Sequence, residues 1–99
     1  MNVLTVCGLG IGSSVILRVT VGKILDELGI KDYTINVADI GTAKSTPFDM
    51  VVTSTELADV LKKALPADKQ FKVIPVSNFV DKNEIKSKII TCLKQMGKL

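Results

Sequence analysis

The chain has 99 residues, 46% of them hydrophobic, which is enough for one modest core and too few for two, so a single domain over residues 1–99 is expected. Its net charge of +3 is uneven, with four Lys/Arg against five acids in residues 1–49 and nine against five in residues 50–99. The excess is scattered rather than gathered into a stripe, and with no Trp, one Tyr and three Phe there is no stacking platform, so nucleic-acid binding is not expected.

The apolar runs are short and strand-like, well below the ~18 residues a membrane-spanning helix needs. No basic segment precedes the first apolar run, so a signal peptide is not expected and a cytoplasmic location is. The absence of His excludes His-based catalysis and His-containing metal sites within the chain. Its two cysteines, Cys7 and Cys92, form neither a disulfide framework nor a metal-binding spacing, and no metal or cofactor is expected.

Residues 2–7 read as a buried strand, followed by the small-residue loop Gly8, Leu9, Gly10, Ile11, Gly12, Ser13 and Ser14. Leu17, Val21, Ile24, Leu25 and Leu28 then recur at helical spacing, an amphipathic helix closed by Gly29. Residues 33–38 form a second strand, and residues 39–47 a polar connection broken by Gly41 and Pro47. Residues 49–53 make a third strand, and Thr53 and Glu56, at capping-box spacing, open a short helix running to about Leu65. Residues 71–76 make a fourth strand, which Pro75 assigns to a sheet edge. A last helix starts near Asp81 and gathers Ile85, Ile89, Cys92, Leu93 and Met96 on one face, leaving Lys82, Lys86, Lys88, Lys94 and Lys98 for a solvated one. Strands alternating with helices predict an α/β fold: a four-stranded parallel sheet of order 2-1-3-4 with flanking helices, flavodoxin-like in three layers.

In such a sheet, ligands gather at the carboxyl ends of the strands beside the switch point, which in this order falls between the first and third strands. Cys7 ends the first strand, and the loop after it feeds a helix N-terminus, where unpaired N–H groups and the helix dipole favour an anion and a thiolate. Glycines at 8, 10 and 12 let backbone amides close around a tetrahedral anion, and Ser13 and Ser14 add hydroxyl donors or cap the helix. A lone cysteine at a strand end is ordinarily a small buried apolar residue. Three alternating glycines and two serines at a strand-to-helix junction point instead to an anion site.

Familiar phosphate loops fail on single residues. A dinucleotide fingerprint needs Gly at 13, and the cysteine-phosphatase loop needs Arg there, but Ser13 occupies the position; no Gly-Lys-Ser/Thr is present for a Walker loop. The nearest cation is Arg18, about a turn into the helix, so the loop must hold the anion mostly by neutral donors. A low-molecular-weight cysteine phosphatase or arsenate reductase, and a non-catalytic anion-binding domain, remain alternatives on the residues alone.

With Cys7 through Ser14, residues 38–45 (ADIGTAKS) and residues 51–58 (VVTSTELA), the chain resembles the enzyme IIB components of the bacterial phosphoenolpyruvate-dependent sugar phosphotransferase system. The likeness is to the ascorbate-type branch, related to the galactitol and lactose types, and covers nearly the whole length. It implies that Cys7 takes a phosphoryl group from a phosphohistidine on enzyme IIA and gives it to a sugar, such as ascorbate, bound by membrane enzyme IIC. The missing His and the missing loop Arg fit a carrier better than a hydrolase, since little is available to activate water.

Other polar residues carry two readings. Thr53, Ser54 and Thr55 either orient phosphate or a partner from the end of the third strand, or cap the helix that follows. Asp39 suits a turn better than an acid role, and Cys92 suits core packing. Asn78 and Phe79, in the loop after the fourth strand, either pack locally or meet a partner.

Overall fold

The computed structural model describes residues 1–6, 11–79 and 81–97, and for residues 11–14 the backbone alone. Four strands, β1 (Asn2–Val6), β2 (Thr34–Ala38), β3 (Met50–Ser54) and β4 (Val73–Val76), pair in parallel in the order β2-β1-β3-β4. Four α-helices accompany them: α1 (Ile11–Glu27), α2 (Ile40–Ser45), α3 (Thr55–Lys63) and α4 (Lys82–Gln95). The sheet order and helix alternation are those expected from the sequence. Pro75 lies on β4, an edge strand, where a missing N–H disturbs no second neighbour.

Alternation along β1 sorts the core into two layers. Val3 faces α1 and α4, packing with Leu17, Val21, Ile24, Ile85 and Ile89, whereas Leu4 and Val6 face α2 and α3, packing with Ala43, Ala58 and Leu61. The chain reverses its direction across the sheet after β2, and right-handed crossovers then place α1 on one face and α3 on the other. Each buried Val, Leu or Ile side chain among these contributes about 1.5–3 kcal/mol. The apolar face expected for α4 is present: Ile85, Ile89, Cys92 and Leu93 are buried and Met96 is half-buried.

Gly29 ends α1 as expected, at φ +80°, with its N–H donating to Asp26 O (3.1 Å) and the Ile30 N–H to Leu25 O (3.0 Å). This pair of bonds is a Schellman closure, and the positive φ makes glycine the fitting residue there.

Three local expectations need correction. The polar connection at residues 39–47 contains the short helix α2, started by Asp39, whose side chain accepts from the Thr42 N–H at 2.6 Å. Asp39 thus caps a helix. The Thr42 backbone N–H holds its carboxyl below the usual range, keeping it ionised. The fourth strand begins at Val73 rather than residue 71, because a 3-10 helix, Ala67–Lys72, follows Pro66. The α3 cap is Ser54, one residue past the expected Thr53: Ser54 Oγ accepts from the Leu57 N–H at 3.3 Å.

Candidate functional site

Cys7, Gly8, Leu9 and Gly10 lie outside the described residues, as do the side chains of Ile11, Gly12, Ser13 and Ser14. The described residues form the frame around them. β1 ends at Val6, and α1 opens at Ile11, so the candidate segment links the central strand β1 to the N-terminus of a 17-residue helix. Val6 pairs in register with Thr53 on β3, and Thr53 itself is fully buried. Its hydroxyl donates to Val6 O at 2.7 Å, tying the last carbonyl of β1 to the neighbouring strand. Thr53 therefore fixes the end of the strand that leads to Cys7, and Ser54 takes the capping role.

Beside this junction runs a groove of about 360 Å³, with Ser54, Thr55 and Leu57 on one wall and Val76, Ser77 and Phe79 on the other. Phe79 also packs against the α1/α4 core layer, so it belongs to both core and groove. The Ser77 wall is held by Glu84, a residue the sequence reading passed over. Its carboxylate accepts from Ser77 Oγ (2.7 Å), the Ser77 N–H (3.3 Å), the Asn78 N–H (3.1 Å) and Lys88 Nζ (3.1 Å). The available signal was the Asp81-x-x-Glu84 capping spacing: Asp81 does cap α4, by accepting from the Glu84 N–H, while the Glu84 side chain reaches back to the loop.

The Ser77 hydroxyl, then Lys88 and the loop amides, lower the Glu84 pKa from 4.5 to about 2. Because the folded pKa is depressed, Glu84 stabilises the fold fully above about pH 4.5, and that contribution is lost as pH falls through about 2. The urea midpoint should therefore drop across this window in the native chain. In Glu84→Gln the drop should be shallower, and equal slopes would show that the loop is held otherwise.

Cys92 is 3% exposed, its Sγ 3.7 Å from Met96 Sδ, and burial pushes its thiol up to about 11, with Lys72 acting weakly in the opposite sense. It is a packing residue, as expected, and carries negligible thiolate at neutral pH. Arg18 is exposed and lines a groove of about 620 Å³ between α1 and the edge strand β2, with Tyr33 and Asn36. Lys82 and Lys86 pair with Glu27 on the surface. Among the described residues no three Cys, Asp or Glu side chains gather as a metal site, and no helix is long and apolar enough to cross a membrane.

The outward face of α1 departs from the expected amphipathic pattern. Val15, Ile16 and Val19 are 48%, 52% and 52% exposed, and together they make an apolar strip over the first turns of the helix that follows Cys7. The signal was present in the sequence as apolar residues outside the Leu17-Val21-Ile24 stripe.

The family model for the lactose/cellobiose-specific IIB subunit of the phosphotransferase system (PTS) matches residues 2–91. The ascorbate-specific PTS system EIIB component of Mycoplasma pneumoniae is 29% identical over 90 residues, covering 87% of each chain. That of Salmonella typhimurium is 29% identical over 97 residues, covering 96% of this chain and 91% of its own. That of Shigella sonnei is 38% identical over 60 residues, covering 59% of this chain and 58% of its own. With its 2-1-3-4 sheet and a match running from β1 into α4, the chain belongs to the lactose/cellobiose-type IIB family, the phosphoryl-transfer components of the sugar phosphotransferase system.

Proposed function

We propose that residues 1–99 act as one carrier domain in which Cys7 accepts a phosphoryl group from a phosphohistidine on enzyme IIA and passes it to a sugar bound by membrane enzyme IIC. The observation that carries this reading is the frame: the segment holding Cys7 joins the central strand β1 to the N-terminus of α1, beside the β1–β3 switch point. A helix N-terminus at that place favours both a thiolate and the phosphate it would carry.

In the first step the Cys7 thiolate attacks phosphorus, an S–P bond forms, the donor N–P bond breaks, and the imidazole nitrogen keeps the electron pair and takes up a proton. In the second, a sugar hydroxyl attacks phosphorus, gives up its proton to a base on the acceptor side, and the S–P bond breaks to restore the thiolate. Backbone N–H groups of Gly8, Leu9, Gly10, Ile11, Gly12, Ser13 and Ser14 are the donors for the phosphoryl oxygens, and no metal or cofactor is used. Thr53 holds the end of β1 in place through Val6 O. Thr55 and Ser54 line the adjoining groove.

The chain works in the cytoplasm, at the inner face of the membrane when it meets enzyme IIC. Enzyme IIA must bring its phosphohistidine to residue 7, and the apolar strip of Val15, Ile16 and Val19 is the face we assign to its docking. Ascorbate is the preferred sugar because the relatives compared above carry ascorbate-specific names; a related sugar or polyol such as galactitol is the other choice. The test is the reconstituted relay of phosphoenolpyruvate, the two general proteins and enzyme IIA, read by intact mass. One phosphoryl group per chain, discharged by membranes holding enzyme IIC plus ascorbate and not by galactitol, is expected; a chain that gains no phosphoryl mass overturns the carrier reading.

A further inference from the structure

The two edges of the sheet are finished differently. β4 is blunted against further pairing: Pro75 brings no N–H, and Lys88 Nζ donates to Pro75 O. On the opposite edge, β2 reads Thr34, Ile35, Asn36, Val37, Ala38, with neither proline nor charge, and among the described residues no strand pairs with its outer side. Val37 on this strand is 41% exposed. An edge left bare in this way is a template for another chain.

One bond sets the direction of each backbone group along β2. The Thr34 N–H donates to Met1 O (2.8 Å), in the register that sets Thr34 beside Asn2. Alternation then turns the N–H and C=O of Thr34, Asn36 and Ala38 toward β1, and those of Ile35 and Val37 outward. A two-fold axis through Asn36 sets Ile35 of each copy opposite Val37 of the other, and the outward groups of each such pair exchange both hydrogen bonds. Ile35 belongs to the core layer under α1, so Val37, two residues on, projects from the same face and is covered by Ile35 of the second copy.

The charges beside this edge agree with the same axis. Arg18 and Asp26 both line the groove between α1 and β2, and neither forms an ion pair among the described residues. As the crossover between parallel strands, α1 runs against them, so Arg18 stands toward the carboxyl ends of the sheet and Asp26 toward the amino ends. Gly22, midway between them in sequence, lies against Ile35: a Cβ there would be 3.6 Å from Ile35 Cδ1. The axis through Asn36 thus falls close to the middle of this stretch and turns Arg18 of each copy toward the end of the joined edge where Asp26 of the other stands. A neutral strand flanked by opposite charges at its two ends is its own complement under this rotation.

We propose that the β2 edge is a self-association surface, where a second copy of this chain adds its own β2 antiparallel and joins the two sheets into one. A pairing of one short strand lies at the small, transient end of interfaces, so the dimer is reversible.

The test is sedimentation velocity of the native full-length chain, with a reductant present so that Cys7 forms no disulfide, from about 10 µM to about 1 mM, where so small an interface associates. The native chain should pass from monomer toward dimer across that range, and Val37→Lys, which sets an ammonium on the edge, should stay monomeric. Arg18→Asp and Asp26→Arg should each weaken the dimer about fivefold to tenfold, since symmetry makes every change count in both copies, and the double variant should recover the native affinity. Amide exchange followed by NMR reads the register without any variant: protection of the Ile35 and Val37 N–H groups should rise with concentration, while that of Thr34, Asn36 and Ala38, turned toward β1, should change much less. A native chain that stays monomeric, its edge open to some other partner, would overturn the proposal. So would a Val37→Lys chain that dimerises like the native one, a double variant no tighter than the single ones, or concentration-dependent protection that misses Ile35 and Val37.

Discussion

Cys7→Ser is expected to abolish phosphoryl acceptance, lowering its rate by about 10³-fold or more. A cysteine of ordinary pKa is already a few per cent thiolate at neutral pH, and a helix N-terminus increases that fraction, whereas a serine hydroxyl is essentially un-ionised and needs a base. No histidine is present in the chain to act as that base. Any phosphate that did reach Ser would be held as an oxygen ester, whose serine alkoxide is a poorer leaving group than the thiolate, so onward transfer would fail as well. Thiol alkylation supplies an independent readout, because Cys92 is buried with its pKa pushed up to about 11 and a reagent at neutral pH therefore reports on Cys7. Charging through the relay should protect the native chain from that reagent. A Cys7→Ser chain that gains phosphoryl mass at the native rate would place the acceptor elsewhere.

The layers of this fold were legible because burial imposes short periods on the chain. The Leu17-Val21-Ile24-Leu25 stripe and the Ile85-Ile89-Cys92-Leu93 stripe each bury the face their spacing marks, and Gly29 stops α1 with the positive φ its position implies. Propensity failed where a single cap outweighed breakers: Gly41 and Pro47 suggested a loop, yet Asp39 satisfies the Thr42 N–H and the short helix Ile40–Ser45 runs through Gly41 and ends before Pro47. Capping spacing alone also could not choose between Thr53 and Ser54. That choice depends on Val6 O, a partner 47 positions away in the chain that takes the Thr53 hydroxyl. The same limit hid Glu84, whose significance lies in four donors gathered from a loop and α4. Sequence pattern points to Cys7 through composition and place in the fold, while the groups supporting that end of β1 are identified by contacts between distant residues.

Ile16→Asp and Ile16→Lys are both expected to weaken transfer from enzyme IIA strongly while leaving the fold intact. Ile16 is 52% exposed between Val15 and Val19, so a polar side chain there stays in water in the free protein, and a stability change within about 0.5 kcal/mol is expected. In a docked complex the same side chain would be desolvated at the centre of an apolar strip. Central apolar anchors of that kind lose about 2 kcal/mol or more on disruption, which is about a 30-fold fall in kcat/KM for the donor protein. Using both charges separates docking from electrostatics. Position 16 is close to the helix N-terminus proposed to hold phosphate, so an effect on the anion alone would slow transfer in Ile16→Asp and leave it unchanged or faster in Ile16→Lys. Docking predicts that both variants raise the KM for enzyme IIA, with kcat at saturating donor little changed and urea midpoints matching the native chain. Native kcat/KM in both variants would remove α1 from the enzyme IIA interface and turn attention to the groove between Ser54 and Phe79, another described surface beside the end of β1.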